Sequence, residues 1–191
     1  MPRRSKTGVV PDWHALHETV QAQAGYFTAR QAQDVGFGSA LLHYHVKTGK
    51  LERARRGIFR LAHYPPHALA DLLVLWLWAD QQAVFSHTTA LVLHDLSDAM
   101  PARIHLTLPA AWEGRRLVLP KGTSAHFAEL PADDRTWHDV VPVTTPLRTL
   151  RDCAAMGISG ELFNQAVDEA VKRGLVSLRQ VQSLSPLAAL S

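Results

Sequence analysis

The chain has 191 residues, of which 47% are hydrophobic and 19% are charged, and its formal net charge is +3. That length allows one domain or two small ones, and the composition excludes an intrinsically disordered chain. The longest apolar run, residues 72–79, is far shorter than the roughly 20 residues that cross a bilayer, so no membrane partner is expected. The single cysteine, Cys153, excludes an internal disulfide and favours the reducing cytoplasm.

Basic residues are concentrated in the first third of the chain. Residues 1–60 hold ten lysines and arginines against four acidic residues, whereas residues 61–191 hold ten against thirteen. This asymmetry predicts an anionic partner for the N-terminal part. The first eleven residues are basic but lack the apolar segment of a signal peptide, so they are predicted to form a flexible basic tail.

The pattern of residues 12–64 predicts three helices followed by a hairpin of two short strands. The expected helices cover residues 12–24, 29–35 and 40–48, and the expected strands cover residues 51–54 and 58–61. Trp13, Leu16 and Val20 have helical spacing. Thr28 and Ser39 are suited to cap the second and third helices. This order of elements is that of a winged helix-turn-helix domain.

The second region, residues 65–191, is predicted to be mixed. Its expected helices cover residues 69–79, 88–95, 146–157, 161–173 and 177–184, and an expected strand over residues 104–108 pairs with residues 117–119 and 124–127. Pro65 and Pro66 mark the boundary between the regions. The predicted fold class is therefore α+β, with an N-terminal winged helix-turn-helix followed by a mixed α/β C-terminal domain.

The third predicted helix has two different faces. Leu42 and Val46 fall on one side of a helical wheel, with His45 beside them. The opposite face carries small, ring-bearing and cationic side chains, namely Ala40, His43, Tyr44 and Lys47. Such a face suits a recognition helix in a major groove, where lysine or histidine meets guanine acceptors and tyrosine meets a phosphate or a thymine methyl group. The alternative is that these positions are merely solvated.

The predicted hairpin is strongly basic, with Glu52 as its local acidic residue. Its cations are Lys50, Arg53, Arg55, Arg56 and Arg60. Gly57 supplies a tip residue that can adopt a positive φ. Phosphate binding explains such clustering because each contact releases counterions, and arginines at the tip can enter a narrow minor groove. The alternative is a solvated edge whose charges prevent aggregation.

Taken together, the helix and the hairpin favour nucleic-acid binding. The candidate DNA-binding residues are Arg30, Ser39, Ala40, His43, Tyr44, Lys47, Lys50, Arg53, Arg55, Arg56 and Arg60. The histidine pairs that invite a metal are His43 with His45, His63 with His67, and His87 with His94. Helical side chains two residues apart diverge, and those seven apart are separated by about 10 Å along the axis. No metal, cofactor or catalytic site is predicted.

Some reactive residues are expected to have structural roles. Ser86 is expected to cap a helix rather than act as a nucleophile beside His87, and Cys153 is expected to be a small buried side chain. Arg148 and Arg151 leave two interpretations open. They are half-buried partners of Asp152 or Asp139, or they form a second basic surface that extends a DNA footprint.

The two stretches G-Y-F-T-A-R-Q-A-Q-D-V-G-F, from Gly25, and L-L-H-Y-H-V-K-T-G-K-L-E-R-A-R-R-G-I-F-R-L, from Leu41, resemble the N-terminal winged-helix domain of the AbiEi family. Three later stretches resemble landmarks of that family's C-terminal region, namely F-S-H-T-T-A-L-V-L-H-D-L, I-H-L-T-L-P and V-T-T-P-L-R-T-L-R-D. The resemblance covers residues 25–173.

The resemblance implies a DNA-binding antitoxin that represses its own operon in a type IV toxin–antitoxin system and counteracts a nucleotidyltransferase-like toxin. It also implies hairpin contacts from Arg53, Arg55, Arg56 and Arg60, and recognition-helix contacts from His43 and Lys47. The expected partner is double-stranded operator DNA with inverted repeats, bound by a homodimer or cooperatively. Some relatives continue into an endonuclease-like domain, but no carboxylate-x-Lys motif is found here, so no enzymatic activity is predicted. A DNA-acting enzyme remnant and a protein-interaction module are the alternative functions.

Overall fold

The computed structural model of the protein describes residues 10–184. The predicted basic tail therefore lies outside the described residues except for Val10 and Pro11. The chain divides into two compact units between Gln81 and Gln82. The sequence predicted a boundary after residue 64, but the next helix packs on the strands of the first unit. The functions assigned to the two regions stay predictions.

The first unit combines helices with an antiparallel sheet. Its elements are α1 (Trp13–Gln21), β1 (Tyr26–Thr28), α2 (Ala29–Asp34), α3 (Ser39–Lys47), β2 (Leu51–Arg55), β3 (Ile58–Leu61) and α4 (Ala70–Trp78). The sheet has the order β1-β3-β2. Both predicted strands of the hairpin form, and β1, which was not predicted, pairs with β3.

Local sequence explains where these helices begin. Asp12 caps α1 by accepting hydrogen bonds from two backbone N–H groups of the first turn. Thr28 caps α2 through a reciprocal capping box with Gln31. The predicted cap of α3 was wrong by one position: Gly38 occupies the cap without any side-chain hydrogen bond, and Ser39 is the first helical residue.

The core of the first unit is apolar, and its buried members come from α1, β1, α2, α3, β2 and the turn before α3. Its buried members are Leu16, Val20, Phe27, Ala32, Phe37, Leu42 and Leu51. Phe27 and Phe59 stack with ring centroids 5.9 Å apart, which ties β1 to β3. The predicted apolar spacing of α1 is confirmed at Leu16 and Val20, whose side chains are buried, whereas Trp13 is 40% exposed.

The second unit is built on a mixed sheet. Its elements are β4 (Val84–Phe85), α5 (His87–Leu93), β5 (Ile104–Leu108), β6 (Thr123–Phe127), β7 (Arg135–His138), β8 (Val141–Thr144), α6 (Pro146–Met156), α7 (Gly160–Lys172) and α8 (Leu178–Gln182), with short 3-10 helices at Ala110–Trp112 and Ala132–Asp134. The strand order is β6-β5-β4-β8-β7. Pairs β5–β6 and β4–β8 are parallel, while β4–β5 and β7–β8 are antiparallel.

One predicted strand of this sheet was wrong. Residues 117–119 form no regular structure, and Val118 is 87% exposed. The physical reason lies in β5, whose two edges are already occupied by β4 and by β6. The predicted strand over residues 104–108 and its pairing with residues 124–127 are confirmed.

The helices of the second unit pack around small and apolar side chains. Ala166 and Ala170, four residues apart on α7, are fully buried against Leu150 and Cys153 of α6, and small residues allow two helices to approach closely. As predicted, α6 ends at Gly157. This glycine adopts the left-handed conformation. In the described part of the chain, no helix combines the length and apolar character needed to span a bilayer.

Candidate nucleic-acid interface

One face of α3 is exposed and the other is buried in the first unit. Leu42 and His45 lie inside, whereas Tyr44 keeps 57% of its surface accessible. The exposed residues of the helix include Ser39, Ala40, His43, Tyr44 and Lys47. The predicted division of this helix into two faces is therefore confirmed, and the DNA-binding roles of the exposed residues stay predictions.

The buried side of α3 is held in place by aromatic contacts and by a tight turn. The ring of Trp13 lies 4.6 Å from that of Phe37 and 4.9 Å from that of His45, centroid to centroid, in edge-to-face geometry. The Phe37 N–H donates to the Ala32 carbonyl over 2.8 Å, which closes the connection from α2. Gly36, at φ +89°, makes this turn possible.

Burial also fixes the protonation state of His45. The pKa of His45 is lowered from its ordinary value of 6.5, first by burial and then by the positive charge of Lys50. Its Nδ1 atom is buried and has no hydrogen-bond partner among the described residues. The ring therefore acts as a neutral, largely apolar part of the core beneath the exposed face.

The hairpin is attached directly to α3 and α2. The Lys50 N–H donates to the His45 carbonyl over 3.0 Å, so β2 begins at the end of α3. The Ala29 N–H donates to the Gly57 carbonyl over 2.8 Å, which joins the tip to the start of α2. As predicted, Gly57 has a positive φ of 77°. The basic hairpin and the exposed face of α3 thus belong to one rigidly connected set of elements.

Four of the predicted hairpin cations are free to meet an anion. Lys50, Arg53 and Arg56 are exposed, and Arg55 is half-buried. In the part of the chain that the structure describes, none of these four cations forms an ion pair with an acidic residue. Because like charges that crowd together without partners repel one another, this set favours a negatively charged ligand.

Arg60 differs from the other hairpin arginines. Its side chain is 19% exposed, and its Nη1 atom lies 3.2 Å from Oε2 of Glu52. Nη2 donates to the Tyr64 carbonyl, and the guanidinium lies 6.0 Å from the ring centroid of Tyr26. Reaching a phosphate would break these contacts, so the geometry gives Arg60 a role in holding the hairpin.

Arg30 lies at the start of α2 and is paired within the first unit. Its Nη1 atom lies 3.0 Å from Oδ2 of Asp80, and the two side chains are 75% and 59% exposed. Solvent-exposed pairs of this kind contribute roughly 0–1 kcal/mol. A phosphate could therefore replace Asp80 at little cost, and Arg30 remains compatible with the predicted interface.

A group of histidines in the second unit was missed by the sequence analysis. His87, His105 and His126 each offer one ring nitrogen, and these atoms lie within 4.8 Å of one another; we call this group the histidine cluster. The pairs considered and rejected in the sequence analysis joined residues close along the chain, whereas these three histidines come from α5, β5 and β6. The expected pairing of residues 104–108 with 124–127 was the available signal, because it brings His105 near His126.

The surroundings of the histidine cluster keep its rings neutral. Burial lowers the pKa of all three imidazoles, and interactions with His126, His105 and Arg148 lower that of His87 further, to about 3. Ser86 occupies the N-cap position of α5, as predicted, but its side chain makes no capping hydrogen bond. Its hydroxyl oxygen instead lies 2.9 Å from Nδ1 of His87 and accepts from the Thr107 hydroxyl.

The two interpretations of Arg148 and Arg151 are separated by the structure. Arg148 is the half-buried partner of Asp152, with Asp134 rather than Asp139 as its second partner. Arg151 is exposed.

Cys153 is buried, as predicted, and burial raises the pKa of its thiol to about 12. A thiol in this state is a packing residue rather than a nucleophile.

These elements define a mixed α+β protein whose first unit presents an exposed helix face beside a basic hairpin. Residues 15–62, which contain both features, match the family described as "Transcriptional regulator, AbiEi antitoxin". The AbiEi resemblance is thus confirmed for this segment. The landmarks between residues 85 and 152 lie outside it and stay predictions.

Among solved structures, the crystal structure of the RV2827C protein from Mycobacterium tuberculosis is similar to this chain. The two share 15% sequence identity with a TM-score of 0.54, over 95% of this chain and 75% of that protein. At this identity the likeness concerns the fold alone. No curated protein sequence is significantly similar to this chain.

Proposed function

We propose that this protein binds double-stranded DNA through the exposed face of α3 and the β2–β3 hairpin, as the recognition helix and the wing of a winged helix-turn-helix domain. The observation that carries the proposal is the junction of these two features. A helix face with hydrogen-bonding and cationic groups continues, through the Lys50–His45 backbone hydrogen bond, into a hairpin whose tip cations have no acidic partner in the described chain.

The two parts of this surface have different tasks. His43 and Lys47 present donors that can reach base edges in a major groove, which is how sequence is read. Arg53, Arg55 and Arg56 meet phosphates or a narrow minor groove, which provides affinity with little sequence preference. Arg60 is left out of the contact set because its guanidinium already binds Glu52 and the Tyr64 carbonyl.

The biological role that fits this surface is transcriptional autorepression by an antitoxin. The match of residues 15–62 to AbiEi transcriptional regulators supports this role. In this proposal the protein works in the cytoplasm, where it binds inverted repeats of its own operator as a dimer or cooperatively. The second unit has no enzymatic role and contributes to counteracting a nucleotidyltransferase-like toxin.

The proposed DNA-binding function is tested by fluorescence anisotropy with labelled DNA from upstream of the protein's own gene. Kd is measured over a series of salt concentrations for the native chain and for an Arg55→Ala/Arg56→Ala variant. If both arginines contact phosphates, the slope of log K against log salt falls by about 2 in magnitude. A matched control removes two exposed arginines of the second unit, Arg116→Ala/Arg179→Ala. Unchanged affinity and slope in the hairpin variant would refute the proposed wing.

The antitoxin role has a separate test. A neighbouring reading frame that encodes a nucleotidyltransferase is expressed with and without this protein, and growth is followed. The native chain is expected to relieve growth inhibition, and the Arg55→Ala/Arg56→Ala variant is expected to relieve it as well while losing repression of an operator–reporter fusion. Growth inhibition that persists in the presence of the native chain contradicts the antitoxin role but leaves the DNA-binding result untouched.

A further inference from the structure

We propose that the histidine cluster is a zinc-binding site in which His87, His105 and His126 are the protein ligands and water completes a tetrahedral shell. This proposal is independent of the proposed DNA-binding function, because the cluster lies in the second unit and shares no residue with α3 or the hairpin.

One nitrogen–nitrogen distance within the cluster is close to the distance that zinc requires. Two ligands at about 2.0–2.1 Å from a tetrahedral zinc ion are separated by about 3.3 Å. Nδ1 of His105 lies 2.9 Å from Nε2 of His126, so a small outward shift would admit an ion between these nitrogens. The ligand atoms of all three histidines lie within 4.8 Å of one another.

Each ligand is carried by a backbone segment that is held in place. His105 lies on β5, and its N–H donates to the Thr89 hydroxyl over 2.8 Å. His126 lies on β6, which pairs with β5 along its full length. His87 begins α5 with a positive φ of 52°, a conformation that is uncommon for a residue with a side chain. Such backbone strain is found preferentially at functional sites.

The ring of His87 is oriented as it would be in a metal site. Metal-binding histidines usually donate the second ring N–H to a fixed acceptor, which sets the tautomer and frees the other nitrogen. Oγ of Ser86 lies 2.9 Å from Nδ1 of His87, and Ser86 is itself fully buried and bonded to Thr107. Nε2 of His87 has no hydrogen-bond partner among the described residues, so it is the atom available to the ion.

The hydrogen bonds shown within the cluster do not use every ring nitrogen. His87 stacks on His126 with ring centroids 3.6 Å apart and an interplanar angle of 17°, and the one nitrogen–nitrogen contact of the cluster joins His105 to His126. The hydrogen bonds among the described residues give Nε2 of His87 no protein partner, although this atom is not one of the fully buried, unpaired atoms. A shared cation would use a nitrogen from each ring.

Charge near the cluster also favours a cation. The carboxylate of Asp152 is close enough to His126 to oppose part of the lowering of its pKa by burial. Its Oδ2 atom is buried and has no hydrogen-bond partner in the described chain. Arg148 pairs with the other oxygen, Oδ1, and neutralises part of this negative charge. A bound divalent ion would offset the rest. Imidazole ligands suit zinc, and zinc favours tetrahedral coordination.

The test uses the full chain without a histidine tag, freed of metal with EDTA. Zinc chloride is added in isothermal titration calorimetry, and metal content is measured after dialysis. The expected result is one zinc ion per chain. Changes to groups that hydrogen-bond a metal ligand typically weaken metal binding roughly 10–100-fold. His105→Gln and His126→Gln each remove a ligand, so each is expected to weaken zinc binding by at least that factor. The matched control, His138→Gln on β7, removes a histidine of the same unit outside the cluster and should bind normally.

A measurement on the native chain makes the test independent of the folding of the variants. Imidazole C–H signals of the three histidines are followed by NMR during zinc addition, and all three are expected to shift together at one equivalent. The absence of zinc binding, or shifts confined to other histidines, would overturn the proposal. Zinc affinity in His105→Gln and His126→Gln equal to that of His138→Gln would overturn it equally.

Discussion

Arg148 and Asp152 are joined across one turn of α6, with Nε of Arg148 lying 2.8 Å from Oδ1 of Asp152. Nη1 of the same guanidinium lies 2.8 Å from Oδ2 of Asp134. The Arg148 and Asp152 side chains are only 16% and 11% exposed. Burial raises the pKa of Asp152, and the hydrogen bond from Arg148 opposes that rise. Arg148 therefore supplies the charge that allows two carboxylates to lie inside the second unit.

Replacement of Arg148 by methionine is expected to destabilise the second unit. Removing one partner of a buried pair leaves an uncompensated charge, which costs about 3–5 kcal/mol. The free energy of unfolding is measured with urea. Arg151→Met is the matched control because Arg151 is exposed on the same helix, and its effect is expected to stay within about 0.5 kcal/mol. Equal effects of the two substitutions would contradict the assigned role of Arg148.

The stability of the first unit is expected to fall in mild acid because of His45. The folded-state pKa of His45 is lowered from 6.5, so the unfolded chain takes up a proton at a higher pH than the folded chain does. The free energy of unfolding is therefore unaffected well above pH 6.5 and decreases as the pH falls below it toward the folded-state pKa.

Urea unfolding of variants isolates this effect. In His45→Leu, the free energy of unfolding is expected to lack the decrease with falling pH that this histidine causes. His43→Leu, a change to an exposed histidine of the same helix, is expected to keep it. If both variants show the same pH dependence as the native chain, His45 is not the group responsible.

Gly36 is expected to tolerate alanine much less well than Gly49. Both glycines have positive φ values, +89° and +72°, a conformation that costs about 1–2 kcal/mol for a residue with a side chain. A Cβ on Gly36 would lie 2.8 Å from the Val10 carbonyl oxygen, whereas nothing lies within 4 Å of one on Gly49. Overpacking typically adds roughly 1–3 kcal/mol. Gly36→Ala is therefore expected to lower the free energy of unfolding, measured by chemical denaturation, by at least about 1 kcal/mol more than Gly49→Ala does.

Lys47 is expected to affect sequence discrimination more than overall affinity. A good base contact contributes about 1–3 kcal/mol of discrimination. Lys47→Ala should therefore reduce the ratio of Kd for shuffled DNA to Kd for the upstream DNA by about 5-fold or more. The Arg55→Ala/Arg56→Ala variant provides the contrast, since loss of phosphate contacts should weaken both complexes and leave the ratio unchanged. A ratio that Lys47→Ala does not change would remove this residue from the reading surface.

Much of the first unit could be predicted because its signals are local. The spacing of Leu42 and Val46, with His45 beside them, identifies the buried side of α3. Gly57 identifies the tip of the hairpin. The side chain of Arg60 could not be distinguished from the other arginines, because its fate depends on contacts with Glu52 and Tyr64 that form only after the strands pair. The cap of α3 was misplaced by one residue, since serine and glycine both occupy such positions readily.

The sequence by itself determined the helices, the position of the hairpin and the concentration of positive charge there. These properties follow from periodicity, capping and composition, which act between residues close along the chain. Only the tertiary structure decided that His87, His105 and His126 meet, and that Arg148 binds Asp134 rather than Asp139. Both results depend on strand order and register, which are set by packing between distant segments and leave no local pattern.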